Sequence, residues 1–298
     1  MPKINIDGRV VELSNLDKKL WAEGITKADL INYYYKVAPY ALAYLKDRPA
    51  VMNRFPNGID KENFYQKECP AYAPEWIATV AIEHSDAEKV VRYIVYRDAA
   101  TLVWLANQAA IEMHAWLSRV EHISYPDIGV LDLDPAEGAE FEKVREVALL
   151  ARAALREFGL DGFPKTSGAT GIHIFIPLRP VYTFSEVTKA LKIIAGFVVK
   201  VCPYGTVERK IENRKGKVYV DYLQNTRGKT MAFPYSVRPL PGAPVSMPLS
   251  WEEVNDASLR PGDFTIKTTL SRLHRVGDLY AGFFDRRYDL KPLLEMDV

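Results

Sequence analysis

The sequence lacks the features that define several common classes of protein. Only two of its 298 residues are cysteines, Cys69 and Cys202, too few for a disulfide framework or a cysteine-rich zinc site within the chain. No uncharged apolar run approaches the roughly 18 residues of a membrane span, and the first residues lack the apolar segment of a secretion signal. We therefore expect a cytoplasmic protein with reduced thiols and no membrane association.

The sequence also lacks an excess of charge of either sign. Lys and Arg number 39 and Asp and Glu number 38, a formal net charge of +1, so no overall field attracts a polyanion. A composition of 48% hydrophobic and 26% charged residues is typical of globular proteins and excludes disorder as the main state. Any nucleic-acid site must therefore be local.

Repeats, low-complexity tracts and the two commonest nucleotide-binding motifs are absent from the sequence. It contains neither a glycine-rich dinucleotide fingerprint nor a phosphate loop ending in Gly-Lys-Ser/Thr. Pro and Gly residues are scattered as turns and form no linker. These absences favour one compact unit that binds any nucleotide by other means.

Hydrophobic spacing predicts helices and strands that alternate in the second half of the chain. Helices are predicted over residues 26–45, 101–118, about 140–158 and 185–201, and strands over 129–134, 172–176 and 217–223. Thr26 and Ser185 are the predicted N-caps of the first and last helix. Pro39 is expected to interrupt the first helix, and Gly159 to follow the third as its C-cap residue.

Asp132 and Asp134 are the strongest candidates for chemistry. They stand at positions i and i+2 of the apolar strand 129–134, so their side chains project from one face, about 7 Å apart. Two buried anions side by side are costly, and a hard divalent ion such as Mg²⁺ or Mn²⁺ between them would offset that cost. For the motif alone, an exposed pair at a strand end is an equally good interpretation.

Asp221 is a third acid that interrupts an apolar strand of the same predicted sheet. Three carboxylates on sheet positions could hold two metal ions about 3.5–4 Å apart, which is the arrangement of nucleotidyl transfer. A salt bridge to Arg209, Lys210 or Arg214 is the open alternative for this side chain.

The loop before His173 combines hydroxyl side chains with glycines, namely Ser167, Gly168, Thr170 and Gly171. Backbone N–H groups in such a loop can approach anionic oxygens, and His173 on the following strand can donate to a phosphate. The loop is therefore a candidate phosphate cradle. A tight turn and a buried core histidine are the alternatives.

Local basicity marks a further candidate region in the second half. Seven Lys or Arg residues stand against three acids between Glu208 and Lys229. The planar guanidinium of Arg238 suits phosphate oxygens and is a candidate for binding a triphosphate. A solvated basic hairpin is the alternative for the region as a whole.

Two smaller groups of candidates lie nearer the N-terminus. Asn15, Lys18 and Lys27 form a polar, basic group. Phe64 and Tyr65 are adjacent aromatic residues in a polar stretch, a pattern that suits stacking on bases and is at least as frequent in core anchoring.

Several ordered motifs resemble one family. In chain order they are Arg54–Gly58, Phe64–Lys67, Ile111–Trp116, Val130–Pro135, Thr166–His173, Val220–Asn225 and Tyr235–Arg238. Together they resemble the polymerase domain of ligase D, the non-homologous end-joining ligase of bacteria and archaea, in the archaeo-eukaryotic primase superfamily. The resemblance covers nearly the whole chain. It implies an α/β (α+β) fold with a primase-like core, in which an RRM-like catalytic unit is joined to an N-terminal α/β unit.

The same resemblance implies a domain organisation and roles for matching residues. We expect a single compact domain over 1–298, with an N-terminal part over about 1–120, a catalytic part over about 121–250 and a C-terminal part over 251–298. The implied catalytic and metal-binding residues are Asp132, Asp134 and Asp221. The implied nucleotide-binding residues are Ser167, Gly168, Thr170, His173, Arg238, Gln224, Arg214 and His114. The implied DNA contacts are Asn15, Lys18 and Lys27 for a 5′-phosphate, and Phe64, Tyr65 and Lys67 for template or base.

The activity implied is template-directed addition of nucleotides, preferentially ribonucleotides, to 3′ ends at gaps and overhangs, with two Mn²⁺ or Mg²⁺ ions. The implied partners are DNA break ends with a 5′-phosphate, NTPs and dNTPs, a Ku-like end binder and a DNA ligase. The expected location is the cytoplasm, at the nucleoid when DNA is bound. A primase-polymerase that starts chains de novo, a non-catalytic DNA end-binding module and a metal-dependent glycosyltransferase are the alternatives.

Two positions depart from the family pattern. Thr170 stands where a lysine is common in the Ser-Gly-x-Lys-Gly loop, so part of the triphosphate charge must be met elsewhere. Asn53 stands where a basic residue often precedes Arg54. Because the chain has no ligase signature such as Lys-x-Asp-Gly, we expect a stand-alone polymerase or a domain of a larger protein.

Overall fold

The computed structural model describes residues 1–84 and 89–296. The strands, in chain order, are β1 (Lys3–Ile6), β2 (Arg9–Glu12), β3 (Ala50–Arg54), β4 (Phe64–Gln66), β5 (Thr79–His84), β6 (Lys89–Ile94), β7 (Ala110–Trp116), β8 (Ile128–Pro135), β9 (Phe163–Thr166), β10 (Ile172–Pro177), β11 (Gly205–Thr206), β12 (Val218–Asp221) and β13 (Thr230–Ala232). The α-helices are α1 (Lys27–Leu45), α2 (Ala99–Asn107), α3 (Phe141–Glu157), α4 (Phe184–Val201), α5 (Trp251–Asn255), α6 (Thr269–Val276) and α7 (Lys291–Leu294). Within the two described ranges, no helix has both the length and the apolar character of a membrane span.

The chain forms two compact units, each with helices and sheet, which confirms the predicted α/β class. The first unit comprises Met1–Glu121, Thr230–Ser246 and Phe264–Arg275. The second comprises His122–Lys229, Met247–Asp263 and the residues from Val276 onward.

The first unit is built around the antiparallel sheet β13–β7–β3–β4, with the hairpins β1–β2 and β5–β6. Helices α1 and α2 pack against each other. Its core is rich in large aromatic side chains, and Trp21, Tyr33, Tyr34 and Trp116 are almost completely buried. The hydroxyl of Tyr34 donates to the carbonyl of Ile111 at 2.7 Å, so this buried polar group is satisfied where α1 meets β7.

The second unit contains the element order β8–α3–β9–β10–α4–β12. Its strands lie in the order β12–β8–β10–β9 and pair antiparallel, and β11 extends the sheet in parallel beside β12. Helices α3 and α4 pack on each other and on β8. This βαββαβ order is that of an RRM, so the predicted RRM-like unit is confirmed.

The two faces of the second sheet carry different residues. A Cβ on Gly129 would lie 3.1 Å from the side chain of Leu191 on α4, so Gly129 faces the helices. Side chains alternate along a strand, which places Leu131 on this helix-covered face and Asp132 and Asp134 on the opposite one. The strand predicted over 129–134 is therefore confirmed, with the predicted division of its faces.

The predicted helices at 26–45, 140–158 and 185–201 are confirmed, with two differences of detail. Thr26 and Asp29 form a capping box at the start of α1, but the helix continues through Pro39 to Leu45. Its buried apolar face stabilises the helix enough to tolerate the missing N–H donor. The N-cap of α4 is Thr183, not the predicted Ser185, because the Thr183 hydroxyl accepts from the N–H of Glu186 in a capping box.

The helix predicted over 101–118 is wrong in its second half. Helix α2 ends at Asn107, Ala109 has a φ of +56°, and Ala110–Trp116 forms β7 between β3 and β13. Ile111, Met113 and Ala115 do alternate with Glu112 and His114, but the run is short and follows α2 directly, and the pairing with β3 and β13 that makes it a strand is not visible in the sequence.

Candidate active site

The sheet of the second unit brings two of the predicted acids and the predicted histidine together. Asp132 lies on the central strand β8, directly opposite His173 of β10 on one side and Asp221 of β12 on the other. Directly opposed residues of an antiparallel pair have Cβ atoms about 4.5–5.5 Å apart, so the two carboxylates are close enough to repel each other. Asp134 follows two residues along the same face.

The environment of Asp221 reflects this repulsion. Burial, together with the charge of Asp132, raises the pKa of the Asp221 carboxyl, against hydrogen bonds that favour its ionised form. The carboxylate accepts from the backbone N–H of Leu223 at 2.7 Å and from Nε2 of Gln224 at 3.2 Å. The first of these bonds turns the chain out of the strand, so β12 ends at Asp221 although the prediction continued it to 223.

Arg214, one of the three residues considered as an alternative salt-bridge partner of Asp221, has other contacts. Arg214 lies over the ring of Tyr219, 3.5 Å from its centroid, and donates to the carbonyls of Glu208 and Arg209. Burial and the adjacent Asp221 carboxylate raise the pKa of Tyr219 to about 12.

The loop between β9 and β10 is organised by the hydroxyl of Ser167. Its Oγ accepts from the N–H groups of Ala169 at 3.0 Å and Gly171 at 2.9 Å, and Gly168 has a φ of +76°. Ser167 is buried, whereas Thr170 is exposed at the tip. The tight-turn interpretation of this sequence is therefore correct for its geometry.

Gly171 holds this loop against the end of β8. A Cβ at this position would lie 2.3 Å from the carbonyl oxygen of Leu133 and 3.1 Å from Oδ1 of Asp134. No side chain fits such an approach to backbone, so glycine is required for the loop to lie against the aspartate.

A buried lysine that the sequence prediction missed completes the polar chain on this face. The Nζ atom of Lys165 lies 2.8 Å from Nδ1 of His173, and Nε2 of His173 lies 3.1 Å from Oδ1 of Asp132. An ammonium group only donates, so Nδ1 of His173 accepts from Lys165 and the ring proton lies on Nε2, the nitrogen beside Asp132. The detectable signal was a lysine within the apolar run before Ser167, in the segment that pairs with the His173 strand.

In the first unit, Arg238 and His114 lie beside the buried side chain of Glu112. Glu112 Oε1 lies 2.6 Å from Nε of Arg238, and its Oε2 lies 2.6 Å from Nδ2 of Asn53 and 3.8 Å from Nε2 of His114. Burial would raise the pKa of Glu112, but His114, Arg238 and Asn53 outweigh it and lower that pKa to about 2. The ring of Tyr65 meets His114 edge-on, with centroids 6.0 Å apart.

The structure also brings together the predicted 5′-phosphate residues of the first unit. The backbone N–H of Lys27 donates to the carbonyl of Lys18 at 2.8 Å, and that of Lys18 to the carbonyl of Asn15 at 3.1 Å. Lys27 is almost fully buried, and its Nζ donates to the Asn107 carbonyl at 2.8 Å. Burial, with the nearby charges of Lys18 and Arg54, lowers the pKa of Lys27 to about 8.

The aromatic residues predicted to contact template or base lie on β4 at the surface. Phe64 and Tyr65 are 46% and 60% exposed, so core anchoring is not their role, and Lys67 beside them is exposed as well. The guanidinium of Arg54 lies 5.2 Å from the centroid of the Phe64 ring. A cation beside exposed aromatic rings is an arrangement suited to nucleic-acid bases and backbone.

Comparison with known proteins agrees with this geometry. The family model described as "LigD, primase-polymerase domain" matches residues 26–280. The chain belongs to this family. The polymerase domain of Mycobacterium tuberculosis ligase D, solved in complex with DNA, has a TM-score of 0.87 and 34% identity, covering 93% of this chain and 99% of that one.

Longer relatives of this LigD primase-polymerase domain are also similar. The bifunctional non-homologous end joining protein LigD of Bacillus subtilis (strain 168) is 36% identical over 286 residues, covering 95% of this chain and 45% of that protein. The multifunctional non-homologous end joining DNA repair protein LigD of Mycobacterium tuberculosis (strain H37Rv) is 34% identical over 281 residues, covering 90% and 36%. The chain thus spans less than half the length of these relatives.

Proposed function

We propose that this protein is a template-directed nucleotidyltransferase that adds nucleotides, preferentially ribonucleotides, to 3′ ends at gaps and overhangs during non-homologous end joining. The observation that carries the proposal is the direct opposition of Asp132 and Asp221 on an RRM-like sheet, on the face opposite α4, in a chain of the LigD primase-polymerase family. The names of the relatives, with their end-joining function, support the repair context. A DNA ligase and a Ku-like end binder are the proposed partners.

The metal-binding residues in this proposal are Asp132, Asp134 and Asp221, with Mn²⁺ or Mg²⁺ as the ions. Within the described part of the chain, no group of three or more His, Cys, Asp or Glu side chains is arranged so that it could hold a metal ion as it stands. The fit rests on two opposed, partly buried carboxylates, one with a raised pKa, because a divalent cation relieves that repulsion and prefers oxygen ligands. Two such ions, when bound, activate the attacking 3′-hydroxyl and stabilise the leaving pyrophosphate.

The chain's own residues have the remaining proposed roles. Lys165 hydrogen-bonds to His173, and His173 lies beside the Asp132 carboxylate, so these two residues help to position it. In the second unit, the proposed nucleotide-binding residues are Ser167, Gly168, Thr170 and His173, with Gln224 and Arg214 as sensors of sugar or phosphate. In the first unit, they are Arg238 and His114. Because Thr170 carries no charge, Arg238 supplies a larger share of the neutralisation of the phosphates.

The DNA contacts belong to the first unit in this proposal. Asn15, Lys18 and Lys27 bind the recessed 5′-phosphate of a break. Phe64, Tyr65 and Lys67 contact template or base. The relative solved in complex with DNA supports nucleic acid as the ligand, and phosphate contacts of this kind position DNA without reading its sequence.

Single-nucleotide extension on a gapped DNA tests the proposal. We expect templated, metal-dependent addition that is faster with NTPs than with dNTPs, and faster when the downstream strand carries a 5′-phosphate than when it carries a 5′-hydroxyl. Dinucleotide synthesis from free nucleotides on single-stranded template would instead indicate a primase. No addition, with DNA binding that still depends on the 5′-phosphate, would contradict the enzyme and indicate an end-binding module.

The depressed pKa of Lys27 predicts that affinity for 5′-phosphorylated DNA falls about tenfold between pH 7 and pH 9. Below a pKa of about 8 the lysine is already charged, whereas above it a proton must be taken up before the phosphate is neutralised. Fluorescence anisotropy with 5′-phosphorylated and 5′-hydroxyl DNA measures the effect as the difference between the two. The same decline in a Lys27→Gln variant would show that another group is responsible.

A further inference from the structure

Glu112 is a buried anion whose two oxygens are shared between different partners in the first unit. It is 3% exposed and lies on β7, directly opposite Asn53 of β3. Oε1 lies 2.6 Å from Nε of Arg238, and Oε2 accepts from Nδ2 of Asn53 at 2.6 Å. Asn53 in turn accepts through Oδ1 from Nδ2 of Asn63 at 2.8 Å, immediately before the exposed aromatics of β4.

Arg238 brings a positive charge to the Glu112 carboxylate, whereas Asn53 brings only a hydrogen bond. A buried carboxylate is costly unless a cation and hydrogen bonds compensate it. Asn53 satisfies one oxygen without contributing charge, so the negative charge of Glu112 remains to be compensated largely by Arg238 and, beyond it, His114. A basic side chain at position 53 would compete with Arg238 for the same carboxylate.

The ion pair with Oε1 of Glu112 holds the inner end of the Arg238 guanidinium, at Nε, beside a buried carboxylate. Planar donors such as this guanidinium are what phosphate oxygens select. The side chain of Arg238 is 21% exposed, whereas that of Glu112 is 4% exposed. The arginine is therefore paired with a buried carboxylate but still accessible to a ligand.

We propose that Glu112 is a positioning residue for Arg238, which orients the guanidinium for a nucleotide phosphate, and that Asn53 supports it by holding the second carboxylate oxygen. This inference rests on the proposed function, since it assigns the phosphate contact of Arg238 to the incoming nucleotide. It gives Asn53 a specific role at the position where related sequences often carry a basic residue. Glu112 acts only through Arg238 and does not touch the nucleotide.

A double-mutant cycle separates positioning from general support of the fold. In extension assays, Glu112→Gln is expected to raise the KM for the nucleotide about tenfold with a smaller change in kcat. Added to Arg238→Ala, it is expected to cause no further loss, because the residue through which it acts is gone. Affinity for DNA stays within twofold of wild type, and Glu75→Gln, at an exposed glutamate of the same unit, changes none of these quantities.

Asn53→Ala provides a second test if Glu112→Gln is poorly folded. It is expected to raise the KM for the nucleotide about threefold, again only when Arg238 is present. Additive losses in either cycle, or an unchanged KM in the Glu112→Gln variant, would overturn the inference while leaving the polymerase intact. Absence of extension by the wild-type protein would overturn the proposed function and this inference with it.

Discussion

Replacement of Asp221 by Asn is expected to reduce nucleotide extension by about 10³-fold or more and, at the same time, to stabilise the protein. A 10³-fold loss corresponds to about 4 kcal/mol of activation free energy, which is the scale expected when a carboxylate that holds the metal ions is removed. The stability gain arises because Asp132 and Asp221 are directly opposed, and like charges at such positions destabilise a sheet by about 0.5–1 kcal/mol. The Asn side chain still accepts the hydrogen bond from the Leu223 N–H.

The size of the stability gain from Asp221→Asn depends on pH. Because the pKa of Asp221 is raised in the folded protein above its ordinary 3.8, the native state binds this proton more tightly than the unfolded chain. The ionised group therefore lowers stability as pH rises through its pKa. The gain from Asp221→Asn should be present at pH 7 without metal ions and vanish near pH 3. Urea unfolding with chelator and the extension assay measure the two effects.

The matched control is Asp285→Asn, at an exposed aspartate of the same unit. It is expected to leave extension and stability unchanged. If Asp221→Asn lost activity and stability together, its loss of activity would be explained by damage to the fold, and the opposed-carboxylate account would fail.

Gly171→Ala is expected to lower the free energy of unfolding by about 2–3 kcal/mol, on the scale of overpacked cores. The added Cβ would stand 2.3 Å from the Leu133 carbonyl oxygen, a backbone atom that can move only with β8 itself. Because the same Cβ also crowds Asp134 Oδ1 at 3.1 Å, extension should fall even at temperatures where the variant remains folded. Chemical denaturation and extension at 15 °C and 30 °C measure the two consequences.

Gly196→Ala is the control for the loss of a glycine as such. Gly196 lies inside α4, and an added Cβ would have no heavy atom within 4 Å apart from its chain neighbours and the adjacent backbone of its own helix. Alanine in a helix interior is favoured over glycine by about 1 kcal/mol, so this variant should be more stable than wild type. Equal effects of the two substitutions would show that the close approach of the loop to β8 is not the cause.

The elements predicted correctly are those in which local pattern and burial agree. In β8 the leucines face the helices and the aspartates the other side, so alternation is visible in the sequence. The region 101–118 is predicted wrongly beyond Asn107, because the pairing of β7 with β3 and β13 joins segments that are distant in the sequence.

The candidate site likewise contains residues that the sequence pattern identifies and residues that it does not. Asp132, Asp134 and Asp221 were recognisable because each interrupts an apolar strand. Lys165 and Glu112 were not, because their partners His173 and Asn53 lie on other strands and are identified only by the register of the sheet. Sequence pattern identifies acids that share a face of one strand, but the partners of a buried charge come from strands distant in sequence.

Electron paramagnetic resonance of Mn²⁺ bound in the presence of a non-hydrolysable nucleotide tests most directly whether the acids of the second unit hold the catalytic metal. The account predicts two ions bound by the wild-type protein, and markedly weaker binding with no detectable extension in the Asp132→Asn variant. Undiminished Mn²⁺ binding by that variant, or extension at the wild-type rate, would contradict it.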